Sequence, residues 1–355
     1  MQLIQTNLQI HHSNVPTQLE FLQVVSQRGS SYFKEEKQRY KSLQAGEEGE
    51  RRLLQYLQAF GPTHWQVVRN LWLKDFKQFE CDTVLITKHC LYLFEVKNYR
   101  GTFTYKDGKC FFNGTESPLN PFEQVRANAA SIRNYLKRLN IHISVKAAVV
   151  FTGMDNEVFI QSEIKDVEVI QSNGIRNFIE RLFLEENKSS HHSFTPKFLI
   201  NKFEQIETTN PFIPNPLSKR ALREIKGGLC CANCMGFDLE RSKFKILCKC
   251  GLEESLEEAS IRTICDYSVL NIQKEIRRKE VYPFFNQQVS LSFLQNLLGT
   301  HFERRNSSSQ VYYEIKPRPY EQIRDEFSIK VPRTFYHKNG ERTIFPTDNI
   351  NTKIF

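Results

Sequence analysis

The sequence predicts an α/β (α+β) core, a mixed sheet flanked by helices, followed by a small cysteine-rich module and a mainly helical C-terminal region. Three observations predict it. Helical and strand-like patterns alternate between residues 46 and 151, residues 208–216 carry three prolines, and five of the nine cysteines crowd between positions 230 and 250. A helix, strands, a helix and a strand in that order indicate one layered domain with its own core.

The 355-residue length suits two or three domains. We divide the chain into a peripheral helical segment (1–40), a main α/β domain (41–158), its extension (159–207), a linker (208–226), a cysteine module (227–255) and a C-terminal region (256–355). Residues 1–40 are polar, end in Lys34-Glu35-Glu36-Lys37-Gln38-Arg39, and predict one or two helices. Leu53, Leu54 and Leu57 form an apolar stripe at helical spacing, so 46–60 reads as a helix, stopped by Gly61-Pro62. Runs 65–70, 82–87 and 91–97 are rich in Val, Ile, Leu, Phe and Tyr and predict strands. Asp107-Gly108 supplies the turn of a hairpin across 101–112.

Residues 121–139 read as a second helix, and the nearly continuous apolar run 145–151 suits a strand covered on both faces. A further strand and two helices follow within 167–207, and the proline-rich stretch marks a boundary. Beyond the cysteines, 290–298 predicts a helix ended by Gly299, and 310–316 a strand preceded by Arg304-Arg305. That pair of elements suits a small DNA-binding module, and equally an oligomerisation or cover element. No internal repeat is visible.

The net charge of +9 favours a polyanionic partner, nucleic acid or an acidic membrane. No stretch approaches the roughly 20 apolar residues of a membrane span, and the first residues lack a basic region followed by an apolar one, so no secretory signal is expected. The expected location is the cytoplasm, with cysteines as reduced thiols or metal ligands. His11-His12 and His191-His192 sit in polar contexts and are not read as ligands; Cys81, Cys90 and Cys110 read as ordinary core or strand residues.

The chemistry concentrates in Cys81-Asp82-Thr83-Val84-Leu85-Ile86 and Leu93-Phe94-Glu95-Val96-Lys97-Asn98. Strand alternation puts Glu95 and Lys97 on one face and Phe94 and Val96 on the other. If the two strands pair antiparallel around Lys88-His89-Cys90, Asp82 comes to the end nearest Glu95 and Lys97. Two carboxylates can hold a hard cation such as Mg²⁺ or Mn²⁺, which activates water and polarises a phosphate. A lysine alongside orients or deprotonates water and offsets developing charge. Glu50 is a third acid, in Gly46-Glu47-Glu48-Gly49-Glu50, whose glycines would let helix and sheet approach closely. Taken alone, Glu-x-Lys on a strand is more often a solvated face.

Gly46-Glu47-x-Gly49-Glu50, Asp82, Phe94-Glu95-Val96-Lys97-Asn98-Tyr99-x-Gly101 and Asn120-Pro121-x-x-Gln124 together resemble the NERD (nuclease-related) domain over about residues 41–158. That family is assigned to the PD-(D/E)XK nuclease superfamily, which implies a restriction-endonuclease-like core. The resemblance implies that Asp82 and Glu95 are metal ligands, Lys97 the catalytic lysine, Glu50 an auxiliary helix acid, and Gln124 a contributor from the second helix. Where the family often has a Gln-Ile type dipeptide, Glu80-Cys81 stands here and adds a negative charge beside the ligands. Asn98, Tyr99 and Arg100 suit contacts to phosphate or base, and equally a turn before Gly101. Asn120-Pro121 also reads simply as a helix start.

Cys231-Ala232-Asn233-Cys234 and Cys248-Lys249-Cys250-Gly251 form two pairs around a partly β-like stretch. Two such turns suit a tetrahedral Zn²⁺ site, although the second pair is C-x-C and Cys230 competes with Cys231 as a ligand. A redox pair or unliganded buried thiols are the alternatives. The segment resembles a zinc ribbon, with Arg241, Lys243, Lys245 and Lys249 placed to meet phosphates. The expectation is therefore a metal-dependent nuclease acting on DNA, with structural zinc and no membrane partner. A catalytically silent nucleic-acid binder or regulatory protein of the same fold, or a ribbon used for protein contacts, are the competing readings.

Overall fold

A computed structural model describes residues 16–188, 195–272, 275–306 and 311–314, together with the backbone of Thr334–Tyr336 and Arg342–Ile344. His11, His12, His191 and His192, and residues 310, 315 and 316 of the predicted last strand, lie outside the described residues. Numbered in chain order, the helices are α1 (Gln18–Arg28), α2 (Lys34–Phe60), α3 (Pro121–Arg138), α4 (Ile175–Lys188), α5 (Pro196–Phe203), α6 (Lys219–Arg223), α7 (Leu256–Asn271), α8 (Arg278–Val281) and α9 (Leu291–His301). The first nine strands are β1 (Gln66–Lys74), β2 (Gln78–Ile86), β3 (Cys90–Lys97), β4 (Gly101–Lys106), β5 (Lys109–Phe112), β6 (Thr115–Ser117), β7 (Ser144–Phe151), β8 (Asn156–Ile160) and β9 (Val167–Gln171). After them come β10 (Leu239–Arg241), β11 (Lys245–Cys248), β12 (Glu253–Ser255), β13 (Glu303–Asn306) and β14 (Val311–Glu314). The chain divides into two compact units, one containing residues 41–211 and the other 14–40 with 212–355.

In the first unit a five-stranded mixed sheet has the order β1-β2-β3-β7-β9. β1, β2 and β3 are antiparallel neighbours, while β3, β7 and β9 run parallel. On one face Val84, Leu93 and Val149 pack with Phe122, Val125 and Ala129 of α3 and with Phe103 of a second sheet. On the other, Leu85, Phe94 and Val150 pack with Leu53 and Leu57 of α2 and with Phe178 and Leu182 of α4. A strand between two such layers has no polar face, which is why β7 is written Val-Lys-Ala-Ala-Val-Val-Phe from residue 145. The second sheet, β6-β5-β4-β8, holds the predicted hairpin, with Asp107 and Gly108 both at positive φ in its turn.

Several elements differ from expectation. α2 begins at Lys34 rather than Gly46; its upstream half lacks the leucine stripe that marked the rest. β1 continues past Asn70, where the sequence pattern breaks. Asn70 takes φ 50°, and the alternation shifts there: Val68 faces the α3 side before it, Leu71 and Leu73 after it. β8, Asn-Glu-Val-Phe-Ile, has no buried residue and too short an apolar run to mark a strand, yet it pairs parallel with β4.

In the second unit a capping box between Thr17 and Glu20 starts α1. Phe21, Val24 and Val25 of that helix share a core with Ala221 and with Val269 and Leu270 of α7. Arg28 is fully buried and bonds Asp266 at 2.9 Å, the Gly228 carbonyl at 2.9 Å and Cys230 Sγ at 3.4 Å. β10, β11 and β12 form an antiparallel sheet. α9 starts at its Ser290 cap but runs through Gly299 to His301, because Leu297, Leu298 and Phe302 all stay in the core. Arg304 and Arg305, rather than merely preceding a strand, lie on β13, which pairs with β14.

Candidate functional site

Asp82 lies where β2 and β3 separate. Their ladder runs from Ile86↔Leu91 to Thr83↔Phe94, and the β1–β2 ladder skips Asn70 and Asp82. Asp82 Oδ2 instead accepts the Val96 N–H at 2.9 Å, so a carboxylate takes the place of a ladder carbonyl. Glu95 and Lys97 alternate to the side of the sheet opposite Phe94 and Val96, and Lys97 Nζ donates to Glu95 Oε1 at 2.5 Å. Glu95 is buried.

α2 brings Glu50 toward this point. A Cβ on Gly49 would meet Asn98 Cβ at 2.7 Å and Thr152 Oγ1 at 2.8 Å, so only glycine allows the helix this close. Gly46 meets nothing within 4 Å, so of the two glycines only Gly49 serves the approach. Asn98 Nδ2 donates to the Ala45 carbonyl at 2.8 Å and Arg52 to that of Thr152 at 3.1 Å, which lock helix to strand ends. Tyr99 stacks with Phe103 and packs by Phe112 and Phe151. Both side chains anchor the fold.

The site holds more negative charge than its cations neutralise. Arg69 reaches Glu47 at 2.7 Å and Glu50 at 3.0 Å, and Lys97 serves Glu95, while Glu80 and Asp82 add two further carboxyls. Burial, with the Asp82 charge added, pushes Glu50 up to about 8 and both Glu80 and Glu95 up to about 7. Burial also raises Asp82, against the pull of the Val96 N–H and Lys97. Burial opposes the Lys97 ammonium, but Glu95, Tyr99 and Asp82 outweigh it and its pKa rises. Lys97 is therefore a hydrogen-bond donor here.

Five carboxyls against two cations is the electrostatic signature of a site suited to a hard dication. The other Asp82 oxygen accepts no hydrogen bond from a described residue. The acids nevertheless do not draw together as closely as the cysteines described below: no three of them place oxygens within 4.8 Å of one another among the described residues.

Residues 45–152 match the sequence model of the nuclease-related domain, NERD. No curated protein and no solved structure matches the chain. The NERD match spans α2 from Ala45, the sheet through β7, and α3, so it contains Glu50, Asp82, Glu95 and Lys97. Gln124 is also within it but is exposed on the first turn of α3, and its side chain makes no hydrogen bond to a described residue. Asn120 caps α3 by accepting from the backbone of Phe122 and Glu123, with Pro121 next, as a helix start requires. Arg69, absent from the sequence reading, is the cation that balances Glu47 and Glu50. Its one sequence signal is a charged residue directly after the apolar pair Val67-Val68 in β1.

In the second unit, Cys231, Cys234, Cys248 and Cys250 place their sulfurs within 4.8 Å of one another. Sγ atoms lie 3.6 Å apart for Cys231 and Cys250 and 3.5 Å apart for Cys234 and Cys248. Tetrahedral zinc thiolates at about 2.3 Å imply sulfur separations of about 3.8 Å. The Asn233 N–H points at Cys231 Sγ (3.3 Å) and the Gly236 N–H at Cys234 Sγ (3.4 Å), donors that stabilise thiolate charge. The Leu252 N–H helps hold the Cys250 thiol down at about 6, while burial pushes Cys231 up to about 12. Cys230 stands outside this group of sulfurs, and its Sγ accepts from Arg28. No helix among the described residues is long and apolar enough to cross a membrane.

Proposed function

We propose that the nuclease-related domain hydrolyses phosphodiester bonds in DNA, as a PD-(D/E)XK enzyme with a restriction-endonuclease-like core. The observation that carries this reading is the meeting of Asp82, Glu95 and Lys97 where β2 and β3 separate, inside a carboxyl-rich site. Asp82 and Glu95 would hold Mg²⁺ or Mn²⁺, which supplies Lewis-acid polarisation of a phosphate and a more acidic water. Lys97 donates hydrogen bonds and offsets charge developing on phosphoryl oxygens. Glu50, steadied by Arg69, is the auxiliary acid, and the exposed Gln124 reaches substrate from α3.

The four cysteines would hold one structural Zn²⁺ in a zinc ribbon of residues 227–255. Its donor set is all thiolate, and N–H groups are already aimed at two sulfurs. The ribbon and residues 256–355 then help grip DNA. Of the ribbon cations, Lys245 and Lys249 are paired with Glu253 and Asp238, so their contribution is weaker than the sequence suggests.

A second reading, a catalytically silent nucleic-acid binder, draws on one observation. The acids are not gathered as a ready ligand set, and Lys97 occupies a Glu95 oxygen. Cleavage of plasmid and linear DNA, with RNA in parallel, is compared for wild type, Glu95→Ala and Lys97→Ala in Mg²⁺ and Mn²⁺. A loss of about 100-fold or more in both variants is expected. Equal cleavage by all three proteins would sink the site, and no cleavage by any, with binding retained, would favour the silent binder. Elemental analysis of purified protein should find one zinc per chain, and less than about half an equivalent counts against the ribbon.

A further inference from the structure

The second unit contains a cavity of about 440 Å³ lined by Arg277, Arg278, Lys279, Gln295, Arg304, Val311 and Tyr313. That size falls in the roughly 300–1,000 Å³ range of small-ligand sites, but such sites are usually mostly apolar. Among the described residues its lining has four cationic side chains and no carboxylate.

The cations are not equally compensated. Arg277 pairs with Glu275 at 2.6 Å and Glu280 at 3.7 Å, yet its buried Nε has no acceptor among the described residues. Lys279 and Arg304 make no ion pair with another described residue, and both are exposed. Arg278 donates to Gln295 Oε1 at 3.0 Å, and Gln295 Nε2 donates to the Tyr313 hydroxyl oxygen at 2.5 Å. The guanidinium fixes that amide orientation, because a flipped amide would set two donors face to face. Tyr313 thus accepts from Gln295, and its own O–H is left to donate. Arg305 shows the contrast. It is next to Arg304 on β13 but is neutralised by Glu303 at 2.9 Å and Glu314 at 3.4 Å, and it does not line the cavity.

A concave surface whose described lining is rich in donors and free of carboxylates is complementary to an oxyanion, and clustered arginines match phosphate oxygens in particular. We infer that this cavity is a phosphate-recognition site, taking the phosphates of a nucleic-acid strand or of a free nucleotide. The strand as source rests on the nucleic-acid reading of the whole chain; the nucleotide does not.

Full-length protein, without added Mg²⁺ or Mn²⁺, is titrated against a labelled single-stranded oligonucleotide and, separately, against ATP. The proteins are wild type, the double variant Lys279→Ala/Arg304→Ala, Arg305→Ala and Glu95→Ala. The double variant should bind one probe about tenfold more weakly, and for the oligonucleotide the dependence of log affinity on log salt should be shallower by about 1.4. Arg305→Ala should stay within about twofold of wild type. Weakening confined to the oligonucleotide identifies a strand, and weakening confined to ATP a nucleotide. Glu95→Ala, which removes the proposed catalytic acid, is read by cleavage in added Mn²⁺, whereas the phosphate pocket is read by probe affinity of the double variant, so loss of the nuclease reading and loss of this one are separate results. Binding of both probes by the double variant at wild-type strength, or no binding of either by wild type, overturns the phosphate pocket.

Discussion

The cysteine cluster and the carboxylate cluster differ in how far the chain alone has assembled them. Four sulfurs from two short turns already lie within 4.8 Å of one another, joined by the β10–β11–β12 sheet. The acids arrive from α2, β2 and β3, and their excess charge is relieved only by raised carboxyl pKa values and by Arg69 and Lys97. A closed set of soft ligands suits a metal that holds a small module together. An open, over-charged set of hard ligands suits a cation that takes part in chemistry, at some expense to the apo fold. On the proposed reading the first site would serve structure and the second function.

The largest expected effect follows from the cysteines. Structural zinc contributes on the order of 10 kcal/mol or more of apparent binding free energy, so Cys248→Ser should lose zinc and unfold the second unit. Both tryptophans, Trp65 and Trp72, lie in the first unit. Tryptophan fluorescence should therefore still report a folded nuclease-related domain while circular dichroism reports lost helix. Cys230→Ser, whose hydroxyl can still accept from Arg28, should keep its zinc; loss of zinc there would put Cys230 in the ligand set.

A smaller effect tests how α2 is docked. Gly49→Ala forces a Cβ against Thr152 Oγ1 and against Asn98 Cβ, which is fixed to the backbone, and should cost about 1–3 kcal/mol despite the better helix propensity of alanine. Gly46→Ala meets open space and should stabilise by about 0.5–1 kcal/mol. Denaturant unfolding followed by tryptophan fluorescence reads both, and shifts of the same sign would refute the close approach at Gly49.

A further effect concerns pH. Glu50 in the folded state sits at about 8, above the unfolded value near ~4.3. Between these values the folded state holds a proton that the unfolded state has lost. Its contribution is therefore fully present below the unfolded pKa and is lost as pH rises toward about 8. Without added metal, Glu50→Gln should flatten the fall in Tm over that window. An unchanged slope would mean that Glu50 is not held against its charge.

Much of this was legible in the sequence, for physical reasons. Leucine spacing marked the C-terminal half of α2, apolar runs rich in Val, Ile, Leu, Phe and Tyr marked β2 and β3, a nearly continuous apolar run marked β7, and Asp107-Gly108 marked a turn, because each signal is local. The Glu95–Lys97 pairing follows from strand alternation, and Asp82 reached it through a hairpin short enough to infer. What stayed hidden depends on distant partners. The kink at Asn70 looked like a strand end because a left-handed residue interrupts the alternation. β8 carries only the short apolar run Val158-Phe159-Ile160, too brief to mark a strand, and its pairing with β4 is made through the backbone. Cys230 Sγ meets Arg28, some 200 positions away in sequence. Arg69 becomes a site residue only when α2 lays Glu47 and Glu50 against it.

The most direct test of the contrast is the Mn²⁺ content of zinc-loaded protein, measured by equilibrium titration with electron paramagnetic resonance detection. Wild type should bind Mn²⁺ at a site that disappears in Asp82→Asn and in Glu95→Gln, with zinc undisturbed in both. Wild-type protein that takes up no Mn²⁺, or variants that bind it equally well, would contradict a metal site at Asp82 and Glu95.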